Sequence, residues 1–84
     1  MLKMFTLYDK KAREFGRQVM VARNDQDMTR ELMGLKGSET TPGRYPGDFD
    51  LYAVCEYEQR TGLVSPINPP ELVVGLEELF NSGR

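Results

Sequence analysis

Histidine and tryptophan are absent from this 84-residue chain, and cysteine occurs once, at Cys55. The lack of His removes the commonest metal ligand and the commonest general acid/base. A single Cys can form neither an internal disulfide nor a Cys-rich zinc site, and one unpaired thiol fits a reducing compartment. No metal and no cofactor is therefore expected. The sequence contains no nucleophile–base pair and no Gly-rich phosphate loop, so catalysis is not expected either. Long apolar runs are also missing. The longest, Leu72 to Leu76, is interrupted by Gly75 and falls far short of the roughly 20 residues that cross a bilayer. Met1 to Tyr8 lacks the length of a signal-peptide core and a small-residue cleavage site. These absences predict a soluble cytosolic protein with no membrane partner.

What is present bounds the rest. The length allows one small domain, residues 1–84, and the 39% apolar and 29% charged residues fall in the globular range. A body of this size hides only about 60–65% of its unfolded surface, so self-association would help it. A net charge of −2 argues against coating nucleic acid by bulk charge, and any basic surface must be local. The charges are unevenly divided. Residues 1–23 carry Lys3, Lys10, Lys11, Arg13, Arg17 and Arg23 against Asp9 and Glu14, a net of +4. Residues 48–78 carry Asp48, Asp50, Glu56, Glu58, Glu71, Glu77 and Glu78 against Arg60, a net of −6. The pattern predicts an electrically polar molecule.

Residues 1–8, MLKMFTLY, are rich in β-formers and predict a first strand. Val19 and Val21 alternate with Gln18 and Met20 and suggest a second, short one, while Lys10 to Phe15 could also form a helical turn. Asn24 is a good N-cap, Asp25 and Asp27 suit a first turn, and Met28, Leu32 and Leu35 follow at i, i+4 and i+7, which predicts a helix over 25–36. Gly37 suits the left-handed residue after it. From 37 to 48, three Gly and two Pro predict a flexible loop with no regular element, carrying Arg44 and Tyr45. Phe49 to Glu58 alternates cleanly, with Phe49, Leu51, Ala53, Cys55 and Tyr57 toward the core and Asp50, Tyr52, Val54, Glu56 and Glu58 outward. Leu63 to Ile67 could return as the second strand of a hairpin. Asn68-Pro69-Pro70-Glu71 resembles a helix start, with Leu72, Val73, Leu76, Leu79 and Phe80 as its apolar stripe; a strand through Leu72 to Val74 is the competing reading. The fold class expected is α+β, a small antiparallel sheet of three to four strands with two helices.

Met4-Phe5-Thr6-Leu7-Tyr8-Asp9 with Lys11-Ala12, then Asp48-Phe49 with Leu51, and Glu56-Tyr57 before Thr61-Gly62 resemble the small nonstructural protein of gokushovirus-type microviruses. These are single-stranded DNA phages, and that protein is often labelled DNA-binding. The resemblance covers nearly the whole chain. It implies a non-enzymatic viral accessory protein acting in the host cytoplasm on genome replication, at the switch to single-strand synthesis and packaging. It supplies no active site. Phe15-Gly16-Arg17-Gln18 departs from the aromatic and Pro residues expected in the second segment.

The basic, aromatic-interleaved N-terminal third is the candidate nucleic-acid surface. Lys3, Lys10, Lys11, Arg13, Arg17 and Arg23 could neutralise phosphates, and Tyr8 and Phe15 could stack on unpaired bases. The bland alternative is a solvated charged loop with Phe5 and Phe15 in the core. Arg44 and Tyr45 could clamp a strand or a partner, although a loop with one exposed aromatic is equally common. Asp50, Glu56 and Glu58 read as a solvated sheet face rather than a metal site, and Cys55 as a small buried hydrophobe. The partner expected is single-stranded DNA. The alternative is an adaptor role on a viral or host protein such as a replication initiator, a procapsid component or a replication factor. A homodimer through a free strand edge or the Leu72–Phe80 stripe is expected.

Overall fold

The alternating residues at the N-terminus form β1 (Leu2–Asp9) in a computed structural model that describes residues 1–82. Two short strands follow, β2 (Glu14–Phe15) and β3 (Met20–Ala22). Helix α1 (Asp25–Leu32) runs into a 3-10 turn at Met33–Leu35. The single-turn α2 (Thr41–Arg44) precedes a second 3-10 turn at Pro46–Asp48. The chain ends with β4 (Phe49–Tyr57), β5 (Val64–Gly75) and α3 (Leu76–Ser82). All strand pairs are antiparallel, the order is β2-β1-β4-β5, and β3 also pairs with β1. The architecture is the α+β class expected from the sequence, with a curled sheet of five strands, two of them very short.

Phe5 on β1 and Leu51 and Ala53 on β4 are fully buried. Met28 and Leu32 of α1 and Leu76 and Phe80 of α3 close over them, each pair four residues apart on one helical stripe. Burying such a side chain contributes about 1.5–3 kcal/mol, which outweighs the weak intrinsic helicity of elements only seven or eight residues long. The start of α1 follows the sequence: the Asn24 side chain accepts the Asp27 N–H at 2.8 Å. The helix itself stops at Leu32, and the last turn tightens to 3-10 before Gly37 takes a left-handed φ of +76°.

Two expectations fail. The 37–48 stretch does contain regular structure: Thr40 caps α2 by accepting the Gly43 N–H, and Pro42 sits in the first turn, where its missing N–H costs nothing. Gly43 permits this packing, since a Cβ there would strike the Ser38 side chain and the Leu35 carbonyl. The second failure is the helix expected from Asn68. Residues 64–75 instead form β5, and helix begins only at Leu76. β4 offers ladder partners to Leu72 and Val74, and Val73 and Val74 pack on the core. The prolines are tolerated because β5 is an edge strand. Between the pairs Cys55↔Pro66 and Ala53↔Glu71, residues 67–70 bulge opposite Val54 alone, carrying the cis Asn68–Pro69 peptide.

The same irregularity corrects the placement of Cys55. The β1–β4 register also shifts here, from Met4↔Cys55 to Phe5↔Ala53, which leaves Val54 unpaired. Strict alternation ends at Ala53, and Cys55 is half-buried rather than part of the core.

On the far edge of β1, β2 pairs near Tyr8 and Asp9 and β3 near Lys3 to Phe5. Residues 16–19 arch between them. The Thr6 hydroxyl, almost wholly buried, donates to the Gln18 carbonyl at 2.9 Å with the Gly16 carbonyl also in reach at 3.3 Å. Thr6→Val, which keeps the shape and deletes the donor, is expected to lower stability in urea unfolding by about 1–2 kcal/mol and to speed amide exchange at Gly16, whose N–H bonds the Leu7 carbonyl.

Candidate nucleic-acid interface

The turn from β1 to β2 is built by Asp9. Its carboxylate accepts the Lys11 and Ala12 N–H groups at 2.9 and 3.1 Å, and its carbonyl accepts the Arg13 N–H at 2.7 Å. This is the aspartate-led turn chemistry expected of a short polar side chain. Arg13 takes a positive φ of 59° to close it. The turn exposes Lys10, Lys11 and Arg13, and Arg17 stands on the adjacent arch.

Tyr8 and Phe15 are cross-strand partners, and a third ring, Tyr52 of β4, joins them. The ring centroids are 5.0 Å (Tyr8–Phe15), 6.0 Å (Tyr8–Tyr52) and 5.4 Å (Phe15–Tyr52), all edge-to-face. Phe15 is therefore not a core residue; 41% of it is exposed, whereas Phe5 has no exposure at all. Leu72, which pairs with Tyr52 on β5, extends the apolar strip across the open sheet face and is itself exposed. Tyr52 was not among the residues the sequence nominated. Its signal was present, because it alternates outward from Leu51 and Ala53, but it lay on a face that reads as acidic.

The ten nominated residues fall into two groups. Tyr8, Lys10, Lys11, Arg13, Phe15 and Arg17 lie around the β1–β2 turn. Arg44, the last residue of α2, and Tyr45, its C-cap, precede the 3-10 turn that leads into β4 at the same end of the sheet, where Lys10 N–H donates to the Asp48 carbonyl at 2.9 Å. The Arg44 guanidinium is 5.9 Å from the Tyr45 ring centre. Lys3 and Arg23 are at the opposite end; the seven steps from Lys3 to Lys10 span about 23 Å of strand.

The charges, divided along the sequence, are partly matched in space. Lys3 binds Asp25 at 3.1 Å, Arg23 binds Asp27 at 2.8 Å, and Lys10 lies 3.6 Å from Asp50. Glu56 is the cross-strand partner of Lys3. Lys11, Arg13, Arg17 and Arg44 make no ion pair among the described residues. On the outward face of β4, Asp50 therefore pairs with Lys10 and Tyr52 joins the aromatic rings, while the bulge at Val54 moves Glu56 to the face of Phe5 and Lys3, so no continuous acidic face forms. Among the described residues no group of His, Cys, Asp and Glu is arranged to hold a metal ion, and no helix is long and apolar enough to cross a membrane.

A family model described as Phage ORF5 protein matches residues 2–79. The chain belongs to the Phage ORF5 protein family. The matched span includes every residue of the aromatic cluster and of the basic turn, so this part of the molecule lies wholly within the Phage ORF5 region. No curated protein and no solved structure matches the chain.

In this Phage ORF5 protein the three rings hold one another at the sheet edge, each edge-to-face pair contributing about 0.5–1.5 kcal/mol. Phe15→Ala removes two of the three pairs. It is expected to reduce the aromatic near-ultraviolet circular dichroism and to lower stability in urea by about 1–3 kcal/mol, without loss of the folded far-ultraviolet spectrum.

Proposed function

We propose that this phage protein is a non-enzymatic accessory factor that binds single-stranded DNA in the host cytoplasm, during genome replication or the switch to single-strand synthesis and packaging. The observation that carries this is the Tyr8–Phe15–Tyr52 cluster beside cations that no carboxylate among the described residues neutralises, Lys11, Arg13 and Arg17. Unpaired bases offer faces that aromatic rings can stack on, at about 1–3 kcal/mol per base, while duplex bases are already stacked on each other. The preference for a single strand follows from that difference. The cations supply the sequence-independent attraction to phosphate. Lys3 and Arg23, paired and distant, act in the fold rather than in binding.

An adaptor role on a replication protein or procapsid, or pairing with a second copy, is the other reading. Leu63, Val64 and Leu72 are exposed along β5 and its lead-in and favour a protein contact. Pro66, Pro69 and Pro70 on the same strand disfavour simple strand addition. The DNA reading uses more of what the surface offers.

Fluorescence anisotropy with labelled oligo-dT over a range of salt tests the proposal. Contacts from Lys11, Arg13, Arg17 and Arg44 give an expected log–log salt slope of about −3. Lys11→Glu with Arg13→Glu is expected to abolish most binding, Phe15→Leu to weaken it about 5- to 100-fold with the slope unchanged, and Lys3→Gln to leave it intact. A flat salt response, or duplex DNA held as tightly as oligo-dT, overturns the proposal. Failure to retain any oligonucleotide, with capture of a viral replication protein, favours the adaptor.

A further inference from the structure

Phe15 borders a second surface. Besides completing the aromatic cluster, Phe15 is among the residues lining a cleft of about 340 Å³ between the 14–18 segment and the stretch from Leu32 to Pro42. Leu7, Met20 and Leu35 form an apolar wall. All three pack on the core yet remain only partly buried, so the cleft is an apolar slot that the fold leaves open. Leu32 and Phe49, both buried, lie at its base. The mouth is polar, with Glu14, Arg17 and Gln18 on one side and Thr40 on the other.

An apolar concavity with a few polar groups at its rim is the usual form of a small-ligand site, and this one is at the small end of the common range of about 300–1,000 Å³. It suits one planar heteroaromatic ring system better than a peptide. The rim narrows the choice. The Arg17 guanidinium has no ion-pair partner among the described residues and attracts a phosphate. The Glu14 carboxylate likewise has no hydrogen bond or ion pair among the described residues, and it asks for a donor. Asp9, also at the rim, is occupied with the Lys11 and Ala12 N–H groups. A nucleotide, with an amino group on its base and a phosphate on its backbone, satisfies the two free ends together.

We propose that this cleft receives one unpaired, amino-bearing nucleobase of the bound strand, laid along its open mouth with one edge toward Glu14 and the other toward Arg17. Its exocyclic amine donates to Glu14, and the backbone phosphate of the same nucleotide meets Arg17. Cytosine presents an N4 amine where thymine presents the O4 acceptor, so a carboxylate discriminates in favour of cytosine. The proposal rests on the single-strand reading above and adds base selection to it.

The test compares two oligonucleotides of about 12 nucleotides, within the usual single-strand site size: oligo-dT, and the same oligomer with one central dC. Each is titrated into ¹⁵N-labelled full-length protein. The dC oligomer is expected to bind about fivefold more tightly or better and to shift the amides of Leu32, Leu35 and Thr40. Glu14→Ala, an exposed substitution, is expected to erase that preference without weakening oligo-dT binding. Equal affinities, with shifts confined to residues 11–17 and Tyr52, overturn the cleft proposal and leave single-strand binding standing. If neither oligomer shifts any amide, both proposals fall.

Discussion

The pairing of β1 with β4 is the contact on which the rest of the molecule depends. It joins the N-terminal strand to one that begins some forty residues later, in a ladder running from Leu2↔Tyr57 to Asp9↔Phe49. On one face it sets Phe5 beside Ala53 and Leu7 beside Leu51, the platform for α1 and α3. On the other it brings Tyr52 to Tyr8 and Phe15, and Asp50 to Lys10. Core and candidate interface are two sides of the same ladder. Such long-range antiparallel pairing carries a loop-closure cost, repaid only when the side chains on the buried face come together.

The edges of the sheet are managed in opposite ways. β5 is long, but its prolines and the 67–70 bulge interrupt the row of free backbone groups that a second strand would need. The other edge is split between β2 and β3, and Asp9 and Thr6 satisfy the backbone of the intervening turn and arch from within. With their backbones hydrogen-bonded locally, these segments expose Lys11, Arg13 and Arg17. Binding residues are commonly carried on loops held by a scaffold in this manner.

Ion pairing subtracts from the basic third more than it adds to stability. Exposed pairs of this kind contribute at most about 1 kcal/mol each. Their consequence is geometric: Lys3 and Arg23 are drawn to α1 and Lys10 to β4, and Lys11, Arg13 and Arg17, which make no ion pair among the described residues, flank Phe15. For the DNA binding proposed of this Phage ORF5 family member, whose net charge is −2, a local concentration of this sort would supply the attraction to a polyanion.

The sequence by itself determined what depends on near neighbours. The alternation in Leu2–Asp9 and from Phe49 to Ala53, the Asn24 cap and the left-handed Gly37 are all set within a few residues. The excess of N-terminal cations was equally legible. Only the tertiary structure decided whether residues 68–75 would be helix or strand, because a wide apolar stripe with a cap serves either, and β4 supplied the ladder partners that selected strand. It also decided which cations stay unpaired and that Tyr52 stands beside Phe15. Those outcomes rest on cross-strand register between distant segments, which is fixed only when their apolar faces meet in one core.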